Sequence, residues 1–204
     1  MAKDWMGNQN SIYKTLGASN HTDEEREQDD YYATDPIAVD KLLSAVDLPQ
    51  HIWECACGAG HLSERLIEHG KTVFSSDLRY RGYEKGLTGV DFLDKFQRPQ
   101  PSPCAIVTNP PYKYAKEFVE HALKLLDHGD LCCMFLKLTF LEGKASKKLF
   151  MQCPPRQVLV FSERVLCAKN GEFERMKAGG GSAVAYAWFV WEKGFKGKPT
   201  IEWI

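Results

Sequence analysis

Short apolar runs alternate along this chain with segments of helical periodicity, and this order constrains the fold more than any other feature. The runs that read as β-strands are 51–56, 72–76, 105–108, 131–136, 157–161 and 183–191. Strands separated by helices usually pair in parallel. We therefore expect an α/β fold with an open, mostly parallel sheet and helices on both faces. The last two runs lack a strong helix between them, which predicts an antiparallel strand at the end.

The length and the first residues indicate how the chain is organised. A chain of 204 residues can build one α/β domain with a substantial core. Residues 1–30 are polar and end in an acidic stretch, so they bury too little apolar surface to offset the entropy of ordering. We expect residues 1–30 to form a flexible N-terminal arm and residues 31–204 to form a single domain.

Composition excludes several classes of protein. No run of 18 apolar residues occurs, which argues against a membrane-spanning segment. The seven cysteines lack the paired spacing of a zinc site, so we predict no metal and a reducing, cytoplasmic setting. The net charge of −1 argues against tight nonspecific binding to nucleic acid. Basic residues form only local clusters, at Arg79, Arg81 and Lys85, at Lys113 and Lys116, and at Lys144, Lys147 and Lys148.

A glycine-containing loop follows the first of the central strands. It reads Glu54-Cys55-Ala56-Cys57-Gly58-Ala59-Gly60 and leads into a helix. Glycines allow the backbone to approach a ligand closely, and a helix N-terminus offers free N–H groups. Asp77 ends the next strand, where a carboxylate can bind a ribose diol. Because Ser63 stands where a dinucleotide motif has its third glycine, a nicotinamide-dependent oxidoreductase is disfavoured.

The pair Asp91-Phe92 is a weaker candidate for a ligand contact. A carboxylate can accept a hydrogen bond from an adenine amino group while an aromatic ring packs on the base. Taken alone, the same pair is more often a loop cap beside a core residue. Its place in the order of motifs is what makes it a candidate.

The sequence Asn109-Pro110-Pro111-Tyr112 at a strand end carries the most specific chemical signal. The exocyclic nitrogen of adenine is a poor nucleophile because its lone pair is delocalised into the ring. Two acceptors, the Asn109 side-chain oxygen and the Pro110 carbonyl, can bind its N–H bonds and localise that lone pair. The prolines stiffen the turn, and Tyr112 can stack on a base swung out of the duplex.

The chain resembles the class I S-adenosylmethionine-dependent methyltransferases. Within that class it looks closest to small phage-type adenine-specific DNA methyltransferases with an Asn-Pro-Pro-Tyr motif. The resemblance implies a Rossmann-like, seven-stranded sheet with an antiparallel last strand. It also implies S-adenosylmethionine as methyl donor, S-adenosylhomocysteine as product, and a restriction-modification setting. The cofactor contacts that it suggests are Tyr32, Thr34, Pro36, Glu54, Cys55, Ala56, Gly58, Gly60, Asp77, Leu78, Asp91, Phe92 and Asn109.

Two departures from that family matter. An additional Asp35 separates Thr34 from Pro36 in the element that touches the cofactor carboxylate. We also expect no separate target-recognition domain, so site recognition would fall to short loops, the arm, a second copy or a specificity partner. We expect Tyr112, Lys113 and Phe173 to contact the substrate, with Phe173 in a loop over residues 163–181.

Three other functions remain open from the residues alone. The same motif can methylate adenine in RNA or a glutamine amide in a protein. A positive face beside Asn109 favours nucleic acid, whereas an apolar groove favours a peptide. A non-catalytic scaffold is the third, although the intact catalytic set of Asn109, Pro110, Pro111 and Tyr112 argues against it.

Overall fold

The computed structural model describes residues 32–94, 98–99, 104–168, 171, 173–178 and 184–204. The predicted arm over residues 1–30 lies outside the described residues. The strands in chain order are β1 (Ala33–Thr34), β2 (His51–Glu54), β3 (Thr72–Asp77), β4 (Leu87–Thr88), β5 (Ala105–Thr108), β6 (Leu131–Lys137), β7 (Gln157–Val160), β8 (Cys167–Ala168), β9 (Tyr186–Glu192) and β10 (Thr200–Trp203). The helices are α1 (Ile37–Ala45), α2 (His61–Glu68), α3 (Ala115–Leu125), α4 (Lys144–Gln152) and α5 (Phe173–Ala178), and 3₁₀ turns cover Tyr112–Tyr114 and Leu138–Leu141.

The described strands form one large sheet and one small ribbon. The large sheet has eight strands in the order β10-β7-β9-β6-β5-β2-β3-β4. The strands β1 and β8 pair antiparallel with each other as a separate two-stranded ribbon. Within the large sheet only β9 runs against its neighbours, β6 and β7. The predicted α/β class, with a mostly parallel sheet, is therefore confirmed.

The strand count and the position of the reversed strand differ from the prediction. The large sheet has eight strands among the described residues rather than seven, because β10 adds to its edge beside β7. β10 runs parallel to β7, so the antiparallel strand β9 is not the last one. The sequence did not predict β10 for two reasons. All four of its residues are exposed, and the run lacks the apolar character of a central strand.

The sheet is covered on both faces, which explains its continuous apolar strands. In β9, Trp188 and Val190 pack into the core on the side of α1 and α2, whereas Ala187, Phe189 and Trp191 pack on the side of α3 and α4. Such alternation places successive side chains on opposite faces of the sheet. No helix among the described residues is long and apolar enough to cross a membrane.

Candidate active site

Three predicted site residues lie at neighbouring strand ends. Glu54 ends β2, Asp77 ends β3 and Asn109 directly follows β5, and these strands are adjacent in the order β5-β2-β3. Because all three strands are parallel, the three residues share the carboxyl edge of the sheet. In open α/β sheets this edge is the usual place for a ligand.

The glycine loop turns tightly from β2 into α2. Gly58 and Gly60 have φ values of 54° and 80°, a region that favours glycine. The Gly60 N–H donates to the Cys57 carbonyl at 2.8 Å, and the Cys57 N–H donates to the Ser76 carbonyl at 3.0 Å. The loop is therefore closed on itself and fastened to β3. The Tyr83 ring covers Gly60 so closely that a Cβ there would lie 2.4 Å from Tyr83 Cδ2.

The Glu54 carboxylate is held below this loop rather than open to solvent. It is only 2% exposed, and the Ser63 hydroxyl in α2 donates a hydrogen bond to its Oε2. Ser63 Oγ also lies 2.6 Å from Ser75 Oγ. Burial raises the pKa of Glu54 to about 8, so the side chain is mostly protonated at neutral pH.

The Asp77 carboxylate accepts two backbone hydrogen bonds. The Gly58 N–H donates to Oδ2 and the Arg79 N–H donates to Oδ1, both at 2.8 Å. Each oxygen keeps a second lone pair with which a ligand hydroxyl can bond. Leu78, the next residue, is 47% exposed and offers an apolar side chain beside the carboxylate.

Cys55 and Cys57 of the loop are buried, whereas Ala56 is half-buried. Burial raises the pKa of both thiols, that of Cys57 to about 12. All seven cysteines are free. Both loop thiols are therefore neutral small side chains that fill the space under the loop.

Asp91 and Phe92 follow the pattern of a loop cap beside a core residue. Asp91 is exposed, and its Oδ1 accepts the Leu93 N–H at 2.9 Å. Phe92 is 2% exposed and makes edge contact with Trp53 at a centroid distance of 5.2 Å. It also packs on Phe118 at 4.9 Å. The predicted contact of this pair with the cofactor adenine stays a prediction.

Asn109 is gripped by segments that are far away in the sequence. Its Nδ2 donates to the Thr34 hydroxyl at 2.8 Å and to the Tyr32 carbonyl at 3.1 Å. Nδ2 also lies within hydrogen-bonding distance of the Cys167 sulfur, at 3.4 Å. The side-chain oxygen Oδ1 is buried and has no hydrogen-bond partner among the described residues.

The partners of Asn109 determine which way its amide faces. A carbonyl can only accept hydrogen bonds, so the Tyr32 carbonyl requires the nitrogen, not the oxygen, on its side. The oxygen is therefore turned away from the β1–β8 ribbon. A buried acceptor without a partner costs about 1–3 kcal/mol, so such an atom is expected chiefly at a functional site.

Tyr112 is half-buried beside Asn109, and its hydroxyl lies 3.3 Å from the Cys167 sulfur. The Tyr112 ring packs at a tilt on Tyr186, with centroids 6.0 Å apart. The Lys137 ammonium lies 4.6 Å from the centroid of the Tyr112 ring, which places a positive charge beside the motif. Burial raises the pKa of Tyr112 well above its ordinary value, so the phenol is neutral. Pro110 is buried and Pro111 is half-buried.

The ribbon of β1 and β8 explains the segment around Thr34. Ala33 pairs with Ala168, and Thr34 pairs with Cys167. The additional Asp35 lies before α1, and its Oδ1 accepts the N–H of Ile37, the first residue of the helix, at 3.1 Å. Thr34 faces Asn109, whereas Tyr32 and Pro36 are half-buried on either side of it. Their predicted contacts with a cofactor carboxylate stay predictions.

The segment over residues 163–181 is more ordered than the predicted loop where the structure describes it. It contains β8 and α5. Phe173 makes edge contact with His61, the first residue of α2, at a centroid distance of 5.5 Å. Phe173 therefore lies beside the start of α2, the helix that the glycine loop enters, and its predicted contact with the substrate stays a prediction. Lys113 is exposed, with its ammonium 5.2 Å from the centroid of the Tyr114 ring.

A surface cavity of about 260 Å³ opens next to Tyr186. Apolar and polar side chains share its lining, which consists of Leu138, Phe161, Ser162, Glu163, Arg164, Val165, Ala185 and Tyr186. Leu138 directly follows Lys137, the residue that contacts Tyr112. The cavity is therefore close to the motif and is large enough for a planar ring.

The basic clusters predicted from the sequence differ in how far they are neutralised. Lys85 pairs with Glu64 at 2.9 Å, and Lys116 pairs with Glu120 at 3.4 Å. Lys144, Lys147 and Lys148 are exposed on α4, which has no acidic residue in its first turn. Within the part of the chain that the structure describes, these three lysines form no ion pair.

Sequence reasoning missed three contributors to this site: Cys167, Lys137 and Tyr83. Cys167 is 58 residues from Asn109, and no spacing rule joins them. Lys137 was hidden as the last residue of an apolar strand. Tyr83 follows a glycine in an irregular segment, and only its ring contact with Gly60 reveals its role.

Comparisons with known proteins establish the fold. The putative class I S-adenosylmethionine-dependent methyltransferase of Listeria monocytogenes superimposes with a TM-score of 0.59 at 12% identity, covering 94% of this chain and 71% of that one. The putative RNA methyltransferase of Pyrococcus horikoshii gives 0.58 at 11% identity, covering 92% and 100%. The putative hemolysin of Lactococcus lactis gives 0.61 at 10% identity, covering 83% and 91%.

No family model matches the chain, and no curated protein matches its sequence. At these identities the structural likeness defines the architecture alone. The fold is the Rossmann-like α/β fold of the class I methyltransferases.

Proposed function

We propose that this protein transfers a methyl group from S-adenosylmethionine to the exocyclic amino group of adenine in DNA. The observation that carries the proposal is Asn109 Oδ1, a buried acceptor without a partner among the described residues, at the carboxyl edge of the sheet. An amino group that arrives at this atom finds an acceptor already oriented. No reorganisation of the amide is then needed during the reaction.

The residues of the glycine loop fit the proposed cofactor. Gly58 permits close approach of the backbone, and each oxygen of Asp77 retains a lone pair for a ribose hydroxyl. The exposed Leu78 side chain can pack against the adenine ring of the cofactor. When bound, S-adenosylmethionine supplies a methyl group on a cationic sulfur, which keeps the electron pair of the broken bond and leaves in S-adenosylhomocysteine.

The protein acts on the nucleophile. Asn109 Oδ1 accepts one amino N–H, and the Pro110 carbonyl is positioned by the stiff proline turn to accept the other. These two bonds draw the nitrogen lone pair out of the ring and toward the methyl group. As the N–C bond forms, the nitrogen releases one proton to solvent. Because the donor is already activated, the reaction requires no residue that forms a covalent intermediate.

The positive charges of Lys137 and of the α4 lysines support nucleic acid as the substrate. The Lys137 ammonium lies beside Tyr112, and the exposed lysines of α4 are not neutralised by described residues. Phosphates are the natural counterions of such lysines. Base flipping would bring the target adenine from the duplex to the edge of the sheet, where the Tyr112 ring offers a surface on which the base can stack.

The test is to identify the methylated product. Purified protein and radiolabelled S-adenosylmethionine are incubated in three parallel reactions. These contain adenine-unmethylated genomic DNA, total RNA and a protein extract, respectively. The polymers are then digested and the labelled nucleoside or amino acid is identified. We expect N6-methyladenine from DNA, formed about 100- to 1,000-fold more slowly by the Asn109→Ala variant.

Other outcomes would revise the proposal in defined ways. Label in RNA adenine or in protein glutamine would retain the chemistry but overturn the proposed substrate. A further outcome is that calorimetry demonstrates cofactor binding while none of the three polymers is labelled. The protein acting without a partner then does not catalyse the proposed methyl transfer.

A further inference from the structure

We infer that Cys167 is a positioning residue, whose thiol joins the first and last side chains of the Asn109-Pro110-Pro111-Tyr112 motif and keeps Asn109 Oδ1 facing the substrate. This inference rests on the proposed function for its consequence on rate. Its structural part, the orientation of the Asn109 amide, can be measured without any substrate.

The position of Cys167 is fixed by the small ribbon. Cys167 is the first residue of β8 and pairs directly with Thr34 of β1. It is 4% exposed, and Leu166 and Ala168 beside it are also buried. The backbone around the thiol therefore has little freedom, and the sulfur has a defined place next to the motif.

The sulfur contacts several polar groups at once, among them groups of Asn109, Tyr112 and Tyr32. Cys167 Sγ lies 3.4 Å from Asn109 Nδ2 and 3.3 Å from the Tyr112 hydroxyl oxygen. The thiol also donates to the Tyr32 carbonyl at 3.6 Å. Burial raises the pKa of Cys167, so the S–H proton needed for that donation is retained at neutral pH.

Thr34 and Cys167 both contact the side-chain amide of Asn109. The Tyr32 carbonyl and the Thr34 hydroxyl already offer acceptors for the two Nδ2 hydrogens. Cys167 adds a third contact on the same side and alone also reaches Tyr112. Removal of the sulfur would take one hydrogen-bond partner from the Tyr112 hydroxyl, which would keep Tyr186, and would give the Asn109 amide room to rotate.

Kinetics on three variants tests the role. In Cys167→Ala, we expect kcat for DNA methylation to fall about tenfold, the size of one lost orienting hydrogen bond, with the cofactor Kd unchanged. Cys167→Ser keeps a donor and acceptor at a shorter reach and should recover a large part of the loss. The matched control is Cys133→Ala, because Cys133 is equally buried but lies in β6 within the core.

The control should lose stability while its kcat stays at the wild-type value. A wild-type kcat in Cys167→Ala would overturn the inference. So would a Cys167→Ser variant as slow as Cys167→Ala when both melt at the same temperature.

A second measurement separates this inference from the proposed function. In an amide NMR spectrum, the side-chain NH₂ signals of Asn109 are assigned by their absence from Asn109→Ala. We expect these hydrogens to exchange with solvent several-fold faster in Cys167→Ala than in the wild type. If wild-type protein methylates no substrate but this difference is seen, the proposed function fails and the positioning role stands. Equal exchange rates would overturn the positioning role.

Discussion

The two ends of the candidate active site are built in different ways. At the glycine loop, polar groups find partners nearby in the chain: Glu54 bonds Ser63, nine residues on, and Asp77 bonds Gly58, 19 residues back. At the motif end, Asn109 is held by Thr34 and Tyr32, which precede it by 75 and 77 positions. It is also held by Cys167, which follows it by 58 positions. Of Glu54, Asp77 and Asn109, only Asn109 keeps a buried side-chain oxygen without a partner among the described residues.

This difference suggests a division of labour. The glycine loop can form once β2, α2 and β3 have assembled, and its satisfied hydrogen bonds give it a fixed shape for binding a cofactor. The motif end exists only when β1 and β8 have paired above β5. Substitutions at the loop should therefore act on cofactor affinity and stability, whereas those at the motif should act on rate.

The largest effect is expected for Asn109→Ala. Loss of the oriented acceptor should lower kcat about 100- to 1,000-fold, comparable to the loss of one oxyanion-hole donor. The cofactor Kd should change less than about twofold, because Oδ1 faces the substrate amine. Steady-state kinetics and calorimetric titration with S-adenosylmethionine check the two parts separately.

Asp77→Asn should produce the opposite pattern. The change removes the charge and one acceptor oxygen at the proposed ribose contact, so cofactor Kd should rise about 10- to 100-fold. At saturating cofactor, kcat should stay within about threefold of the wild type. If Asn109→Ala and Asp77→Asn weaken cofactor binding equally, the division between the two ends is wrong.

Glu54 should make the stability of the free protein depend on pH. Burial raises the pKa of Glu54 from its ordinary 4.5 to about 8 in the folded state. The folded protein therefore holds a proton that the unfolded chain releases above about pH 4.5. The contribution of this proton to the free energy of unfolding is fully present below about pH 4.5. It is lost as the pH rises toward 8, by at most about 1.4 kcal/mol per pH unit.

Thermal melts of the wild type and Glu54→Gln between pH 5 and 8 measure this dependence. Because glutamine does not titrate, the variant should lose less stability than the wild type over the same range. Parallel curves for the two proteins would show that Glu54 ionises normally in the fold.

The tight packing of the glycine loop should affect the stability of the fold. Gly60→Ala places a Cβ 2.4 Å from the Tyr83 ring at a φ of 80°, and Tyr83 is fixed by the bond from its hydroxyl to Glu64 at 2.6 Å. We expect a loss of about 2–3 kcal/mol in the free energy of unfolding. Gly70→Ala is the control, since its φ is 78° but no atom lies within 4 Å.

Gly70→Ala should lose only about 1 kcal/mol, the strain of the backbone alone. Urea unfolding of both variants measures the difference. Equal losses would mean that the Tyr83 ring moves aside freely and does not help to define the loop.

Much of the fold was predictable because it depends on local patterns. The strands β2, β3, β5, β6 and β7 are apolar runs near the predicted positions, and their alternation with helices indicated a parallel sheet. β10 was missed because its four exposed residues carry no core pattern. Phe173 was predicted to contact the substrate from its place in a loop; its ring lies against His61, and the substrate contact stays a prediction.

The sequence by itself determined the glycine loop, the acid at the end of β3 and the Asn109-Pro110-Pro111-Tyr112 turn. Each is a short stretch in which residue type fixes the backbone or supplies the chemistry, so neighbours in the chain suffice. Only the tertiary structure decided which way the Asn109 amide faces. That choice depends on Tyr32, Thr34 and Cys167, which reach Asn109 through the pairing of β1 with β8. Long-range pairing of this kind arises from packing of the whole domain, and no local spacing records it.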